Sequence, residues 1–189
     1  MTVKGLLLPI AAPSGTGKTT VCRQLMVRDD RLLFSVSATT RPPRDYEQDG
    51  VDYFFLSRVQ FEQYIRDGLL VEWEEVFGNY YGTLKSYIEQ ALTMNKILLL
   101  DIDVKGALRI QKLYPENTLT IFLMPPNQAE LQRRLKNRST DDERTIALRH
   151  ARIPEEIELS RQFDYQVIND KLNDTVHKIS NLIEEYWQK

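Results

Sequence analysis

The stretch AAPSGTGKTT, residues 11–20, constrains the fold of this chain more than any other segment. It lies between the strand-like apolar run of residues 6–12 and the helix-like stretch of residues 18–28. A small-residue loop between a strand and a helix, with the pattern Gly, four residues, Gly-Lys, then Ser or Thr, cradles nucleotide phosphates. The stretch therefore predicts a phosphate-binding loop at the end of a buried strand.

The loop residues have separate physical roles. Backbone N–H groups and the helix N-terminus attract the phosphates, Lys18 is expected to reach the β- and γ-phosphates, and the Thr19 hydroxyl is expected to ligate Mg²⁺. Ala12 stands where the pattern has its first glycine. An alanine there costs ~1–2 kcal/mol only if the position needs a positive φ. The residues expected to contact the triphosphate are Ala12, Pro13, Ser14, Gly15, Thr16, Gly17, Lys18 and Thr19.

Apolar and amphipathic segments alternate along the rest of the chain, which predicts an α/β fold, a parallel sheet flanked by helices. The strand-like segments are 6–12, 32–37, 96–103, 119–124 and 165–169, and the helix-like segments are 18–28, 104–114, 127–138 and 173–187.

Two regions break this alternation. Short antiparallel strands are expected in residues 38–95, and helices in the charged residues 125–162. We predict a single domain over residues 1–189, with these regions inserted into a core of residues 1–37, 96–124 and 163–189. Pro9 is awkward in the first strand, because proline lacks a ladder donor. Either the strand starts after it, or its missing N–H is not needed there.

Charge and cysteine content exclude several classes of protein. The net charge of -2 provides no basic field for nucleic acid. One cysteine, Cys22, excludes an internal disulfide, and with only two histidines a zinc site is not expected. Cys22 is interpreted as a buried structural thiol, with a catalytic Cys–His pair as the alternative. The N-terminal apolar run is too short to span a membrane, so a cytoplasmic location without a membrane partner is expected.

A second anion site is indicated by Arg41 and Arg44, which flank Pro42-Pro43. The prolines stiffen the loop, so two guanidinium groups can form a clamp for a dianion. Solvated surface charge is the alternative interpretation of two nearby arginines. The hydroxyls of Tyr53 and Tyr81 are candidate additional donors to the same anion.

Glu72 and Asp103 are candidates for recognising a base. Guanine presents N1–H and N2–H₂ as adjacent donors that a carboxylate accepts, whereas adenine has an acceptor at N1 and is rejected. A hydroxyl from Ser37 or Thr83 suits guanine O6. The alternative for an isolated Glu in an alternating strand is an outward-facing surface residue.

Arginines in the helical region are expected to close over the triphosphate. Arg134 and Arg138 are four residues apart and share a helix face, and Arg149 follows on the next helix. A solvated charge face is expected for Arg133, Arg144 and Arg152.

These segments together resemble the guanylate kinase family. The similarity covers essentially the whole chain, in the family's order and spacing, and its markers are APSGTGKTT, SVSATTRPPR followed by DGVDYFF, VEWEEVFGNYYGT, LLLDIDVKGA, RRLKNR and VIND. The resemblance implies a phosphate-loop kinase fold with an inserted mixed-β GMP-binding lobe at about 38–95 and a helical lid at about 125–162.

The resemblance also implies roles for individual residues. Guanine contacts correspond to Ser37, Glu72, Thr83 and Asp103, and GMP phosphate contacts to Arg41, Arg44, Tyr53 and Tyr81. Lys18 corresponds to the catalytic lysine, Arg134, Arg138 and Arg149 to the catalytic lid arginines, Asp101 to the carboxylate near the metal, and Asn169 to the adenine side. Pro154 departs from the family's usual helix and is expected to start or kink one.

The implied reaction is Mg²⁺-dependent transfer of the γ-phosphoryl group of ATP to GMP, or to dGMP. One alternative is a related kinase of a ribose bisphosphate, which has no need of Glu72 or Asp103 as base readers. The other is an inactive scaffold of the same family, which tends to lose the cradle lysine and the lid arginines. Both sets are present here. The sequence does not indicate an oligomeric state.

Overall fold

The computed structural model describes residues 5–127 and 143–188, and of residues 143–150 it describes the backbone alone. The strands are β1 (Leu6–Ala11), β2 (Leu32–Phe34), β3 (Ala38–Thr39), β4 (Phe54–Phe55), β5 (Leu70–Val76), β6 (Asn79–Leu84), β7 (Ile97–Asp101), β8 (Ile121–Met124) and β9 (Tyr165–Ile168). The helices are α1 (Lys18–Arg28), α2 (Arg58–Arg66), α3 (Lys85–Thr93), α4 (Val104–Leu113), α5 (Glu143–Leu159) and α6 (Leu172–Trp187). A 3-10 turn at Ser160–Gln162 follows α5.

The main sheet is parallel and has the order β2-β7-β1-β8-β9, with β1 at its centre. Both faces of β1 are buried, because alternate residues point to opposite sides of the sheet. Leu6 and Leu8 pack with α1 and α6, whereas Leu7 and Ala11 pack with α3 and α4. The expected α/β class with helices on both faces is confirmed.

The second sheet is mixed and has the order β4-β3-β6-β5. Strand β3 pairs parallel to β4 and antiparallel to β6, and β5 pairs antiparallel to β6. The register of β5 against β6 shifts between Leu70 and Glu72. Such an irregularity re-aims the side chains beside it, so the shift affects the direction of Glu72.

Several segments differ from the sequence prediction. The strand predicted over 32–37 ends at Phe34, and the backbone then turns toward β3. Helices α2 and α3 were not predicted within residues 38–95. Ile88 and Ala91 of α3 are buried against the main sheet. The division into core and inserted regions stays a prediction, and α3 packs with the core.

Pro9 lies inside β1, so the strand does not start after it. Pairing of β1 with β7 is continuous. On the other side, Leu7 exchanges backbone hydrogen bonds with Asn117 and Leu119, and regular pairing with β8 resumes only at Ile10. Because residues two apart face the same neighbour, Pro9 lies toward β8, where its missing N–H interrupts the ladder. The central strand thus accommodates Pro9 with the loss of one backbone hydrogen bond on its β8 side.

Pro154 lies within α5, which is one continuous helix through that position and does not start there. The predicted helix at 127–138 falls almost entirely outside the described residues. Cys22 is a buried residue of α1, which agrees with a structural thiol. Among the described residues, no helix is both long and apolar enough to cross a membrane.

Candidate active site

A single cleft of about 400 Å³ lies at the carboxyl ends of β1 and β7 and is closed on the other side by the second sheet. Its volume lies within the range of about 300–1,000 Å³ that is usual for small-molecule sites. We call one side the loop wall, formed by residues 12–20. We call the other side the lobe wall, formed by Ser37, Arg41, Arg44, Tyr53, Glu72, Tyr81 and Gly82.

The backbone of the loop wall turns tightly before α1. Gly15 and Gly17 have φ angles of 87° and 90°, values that residues other than glycine rarely adopt. Helix α1 begins immediately after Gly17. The Thr16 N–H donates to the Pro13 carbonyl at 3.1 Å and closes the turn. Among the described non-glycine residues, only Phe77 and Asn95 have a positive φ, so Ala12 does not need one. Alanine in place of the first glycine is therefore unstrained.

Lys18 is held at the first turn of α1 by two acceptors. Its Nζ donates to the Ile102 carbonyl at 2.7 Å and lies 2.6 Å from Asp101 Oδ1. Burial by itself would lower the pKa of Lys18, but the Asp101 carboxylate outweighs it and raises the pKa. Lys18 is therefore a positive charge fixed at the mouth of the loop.

Thr19 and Asp101 supply adjacent oxygen atoms beside Lys18. The Thr19 hydroxyl donates to Asp101 Oδ2 at 3.4 Å. A hydroxyl and a carboxylate are hard oxygen ligands of the kind that Mg²⁺ takes, together with water and substrate phosphates. The described residues contain no cluster of three or more His, Cys, Asp or Glu side chains that could hold a metal alone. The pair thus fits a metal that is bound mainly through a phosphate ligand.

Asn169 follows β9 and supports the loop wall from behind. Its Nδ2 donates to the Thr16 carbonyl at 2.7 Å, and its own N–H donates to Met124. A Cβ added to Gly17 would lie 3.0 Å from the same Nδ2. The side chain therefore packs tightly against the loop, and it does not line the cleft.

The lobe wall carries the two arginines of the sequence prediction, and both line the cleft. The Arg41 guanidinium lies over the rings of Tyr53 and Phe55, at 5.5 Å and 5.7 Å from their centroids. Tyr53 meets Tyr81 edge to face, with ring centroids 6.1 Å apart. Burial raises the pKa of Tyr53, so its hydroxyl keeps its proton and can donate a hydrogen bond.

Glu72 is buried in the lobe wall. This excludes the alternative interpretation, in which Glu72 is an outward-facing surface residue. The Thr83 hydroxyl donates to Glu72 Oε1 at 2.5 Å. A Cβ on Gly106 would lie 2.8 Å from Glu72 Oε2, so only glycine leaves room for this carboxylate. Burial, opposed by the Thr83 hydrogen bond and aided by the charge of Asp103, raises the pKa of Glu72 to about 7.

Ser37 and Asp103 also line the cleft near Glu72. Asp103 caps α4, because its Oδ1 accepts a hydrogen bond from the Gly106 N–H at 2.8 Å. Thr83 does not line the cleft, and its hydroxyl is directed at Glu72. The structure thus brings together two carboxylates and one hydroxyl at the end of the cleft opposite the loop wall.

Comparison with known proteins shows the family of this chain. The family model described as Guanylate kinase matches residues 5–186. The chain belongs to the guanylate kinase family. A relative named guanylate kinase from Chlorobium luteolum is 44% identical over 96% of this chain and 92% of that protein, and one from Halalkalibacterium halodurans is 45% identical over 95% and 88%.

A solved structure agrees with this assignment. The crystal structure of guanylate kinase from Anaplasma phagocytophilum has a TM-score of 0.84 and 30% identity, and covers all of this chain and 89% of its own. The mixed α/β architecture is therefore that of a guanylate kinase, with the second sheet included.

In this member of the guanylate kinase family, the cleft contains two charged residues that sequence reasoning missed. Arg152, which was expected on a solvated face, lines the cleft and lies 5.7 Å from the ring centroid of Phe77. Glu156 lines it as well, and burial raises its pKa to about 6. Their four-residue spacing on α5 was a readable signal that they share a face.

The expected lid arginines are not placed by the structure. Arg134 and Arg138 lie outside the described residues, and Arg149 belongs to the part of α5 whose side chains are not described. Their catalytic role in this guanylate kinase family member stays a prediction.

Proposed function

We propose that this chain transfers the γ-phosphoryl group of ATP to GMP and releases ADP and GDP. One observation carries the proposal: a single cleft has a phosphate loop with Lys18 on one wall and a pair of arginines beside a buried Glu72 on the other. A donor triphosphate on the loop wall and an acceptor on the lobe wall would meet within this cleft. Relatives named guanylate kinase support the same reaction.

The acceptor's base is chosen by Glu72 and Asp103. Ionised Glu72 accepts hydrogen bonds from N1–H and N2–H₂ of guanine, whereas the N1 acceptor of adenine would face it without a proton. Glu72 is buried, so an unsatisfied contact there costs more than it would in water. Ser37 lines the same cleft, and its hydroxyl would serve guanine O6.

The acceptor's phosphate binds between Arg41 and Arg44, with the hydroxyls of Tyr53 and Tyr81 as further donors. The attacking oxygen belongs to a phosphate that is already ionised at neutral pH, so no strong general base is required. Catalysis then depends on alignment and on neutralising the charge of the transferred group. Lys18 supplies one fixed positive charge, and we propose that Arg134, Arg138 and Arg149 supply others as the lid closes and excludes water.

Mg²⁺ is the cofactor that this site fits. When bound, it neutralises charge on the β- and γ-phosphate oxygens. Thr19 and Asp101 would hold it. Asp101 would then exchange part of its contact with Lys18 for the metal, which leaves Lys18 Nζ available to the phosphates.

The decisive experiment measures ADP release with ATP and Mg²⁺ against GMP, dGMP, AMP, UMP and CMP. We expect a high kcat/KM for GMP, a lower one for dGMP, and very little turnover of the other three. Equal activity toward AMP would contradict the proposal, and so would activity only toward a ribose bisphosphate. We also propose that the reaction serves purine nucleotide recycling in the cytoplasm.

A further inference from the structure

Glu47 lies between the two arginines of the lobe wall and contacts both. Its Oε1 accepts a hydrogen bond from Arg41 Nη2 at 2.8 Å, and its Oε2 accepts one from the backbone N–H of Arg44 at 2.7 Å. The guanidinium of Arg44 lies 3.6 Å from the same carboxylate. One side chain therefore joins the residues on either side of Pro42-Pro43.

The Glu47 carboxylate is enclosed by its partners. Its side chain is 5% exposed, against 17% for Arg41 and 37% for Arg44. Burial by itself would raise the pKa of Glu47, but the hydrogen bonds from Arg41 and from the Arg44 N–H outweigh it and hold the pKa below its ordinary value. Glu47 is ionised at neutral pH, so both hydrogen bonds are of the stronger, charge-assisted kind.

The segment that carries the arginines is a loop, residues 40–53 between β3 and β4, and it forms no helix. Its backbone is held by turn hydrogen bonds, such as that from the Glu47 N–H to the Arg44 carbonyl at 3.0 Å, and by an isolated bridge between Asp49 and Tyr53. Arg41 also donates to the Pro42 carbonyl at 2.6 Å and packs over aromatic rings. Long side chains on irregular backbone lose rotamer freedom when a ligand orders them, and that loss weakens binding. A carboxylate that orders them beforehand removes part of the loss.

We propose that Glu47 is a positioning residue for the acceptor: it holds the guanidinium groups of Arg41 and Arg44 in the arrangement that receives the phosphate of GMP. This inference rests on the proposed function. An opposing effect exists, because the negative charge of Glu47 reduces the net positive charge of the clamp. One negative charge against two guanidinium groups still leaves the clamp positive. We therefore expect the ordering of the two arginines to favour phosphate binding more than the charge of Glu47 opposes it.

The test compares Glu47→Gln with wild type in the full chain. Gln keeps the shape of Glu but has a single acceptor oxygen, so one of the two contacts becomes donor against donor. We expect the KM for GMP to rise about 10- to 100-fold, as for the loss of a charge-assisted hydrogen bond. The KM for ATP and the inhibition constant of guanosine should stay close to wild type, because neither depends on the phosphate clamp. The Tm should fall by about 2–4 °C for each kcal/mol that the lost contacts contribute to the folded state.

Glu62→Gln is the matched control, since Glu62 is an exposed residue of α2 whose carboxylate pairs with Arg58 at 3.2 Å, away from the cleft. It should change neither KM. An unchanged or lower KM for GMP in Glu47→Gln would overturn the inference. A matching loss of guanosine affinity would also overturn it, because the residue would then support the whole lobe.

Failure of the proposed function is separable. Wild type that transfers no phosphoryl group to GMP refutes the reaction, whereas calorimetric binding of GMP to wild type and Glu47→Gln still tests the role of Glu47. Equal GMP affinities in that measurement would refute the positioning role whether or not the wild type is active.

Discussion

The two walls of the cleft hold their charged groups by different means. On the loop wall, the groups that we propose bind phosphate are backbone N–H groups and Lys18, and they are fixed by β1, α1 and the core of the main sheet. On the lobe wall, the groups are side chains of the loop between β3 and β4 and of strands β5 and β6, and other side chains such as Glu47 and Thr83 contact them. We therefore expect substitutions in the loop wall to lower kcat, and those in the lobe wall to raise the KM for GMP or to change selectivity.

Lys18→Ala should have the largest effect. It removes the charge that neutralises the transferred phosphoryl group, and losing one such group costs about 100- to 1,000-fold in kcat. The fold should survive, because the backbone of α1 and the core beneath it are unchanged. Steady-state kinetics and a Tm measurement check both expectations.

The control is Lys85→Ala, which removes an exposed lysine of α3 whose side chain pairs with Glu89 at 3.5 Å. Its kcat should match wild type. If Lys18→Ala kept a near-normal kcat, the loop wall would not be the site of phosphoryl transfer.

Glu72→Gln should change selectivity more than rate. The amide has one acceptor where the carboxylate accepts two donors of guanine, so the preference for GMP over AMP in kcat/KM should fall about 10- to 100-fold. The measurement is a panel of nucleoside monophosphates.

Glu75→Gln is the matched control, because Glu75 is an exposed residue of the same strand β5. Its selectivity should equal that of wild type. An unaltered panel for Glu72→Gln would remove Glu72 from base recognition and leave the arginine clamp as the selective element of the lobe wall.

The pH profile gives an independent view of Glu72. Its pKa of about 7 means that the carboxyl takes up a proton as the pH falls through 7. The protonated form no longer accepts both guanine donors, so kcat/KM for GMP should fall below pH 7, by up to about tenfold per pH unit. The loss is on the acid side because the ionised form is the one that binds.

GMP's own phosphate also titrates near pH 6, so the comparison is with Glu72→Gln. That variant keeps the titration of the phosphate and loses that of the carboxyl. The difference between the two profiles reports Glu72. Superimposable profiles would mean that Glu72 does not titrate in this range in the free enzyme.

The two walls also differ in how well their structure can be predicted from the sequence. The phosphate loop and α1 follow from local pattern, and α1 has the predicted bounds, Lys18–Arg28. The parallel sheet follows from alternation of strand and helix patterns. Pro9 could not be resolved, because its cost depends on which neighbouring strand its missing N–H faces.

Residues 38–95, which carry most of the lobe wall, are harder to predict from sequence, because their structure depends on contacts between residues that are distant in the chain. Helix α2 has a readable signal in the sequence, the capping box of Ser57 and Gln60. Helix α3 has no side-chain cap at its start and gave no such signal. Glu47 was unreadable, because only the folded loop brings its carboxylate to Arg41 and Arg44.

Asn169→Ala tests whether the loop wall is supported from behind. The family resemblance places this residue at the adenine side, whereas its Nδ2 donates to the Thr16 carbonyl. If it acts through the loop, its loss should raise the KM for ATP and for GTP as donors by the same factor, about 5- to 10-fold. Asn181→Ala, an exposed change on α6, should leave both values unaltered. A rise confined to ATP would instead assign Asn169 to adenine recognition.

Ala12→Gly should have the smallest effect and tests how rigid the loop wall is. Ala12 has no positive φ and packs against the core, so glycine relieves no strain and adds freedom to the unfolded chain. We expect a loss of about 0.4–1 kcal/mol in the free energy of unfolding, with kcat and the KM for ATP within about twofold of wild type. Gly17→Ala is the opposite case, because a methyl group at a φ of 90° strains the backbone and would lie only 3.0 Å from the Asn169 amide. That variant should raise the KM for ATP sharply. A tenfold gain in kcat from Ala12→Gly would show that alanine strains the loop and that the backbone wall is less rigid than the structure indicates.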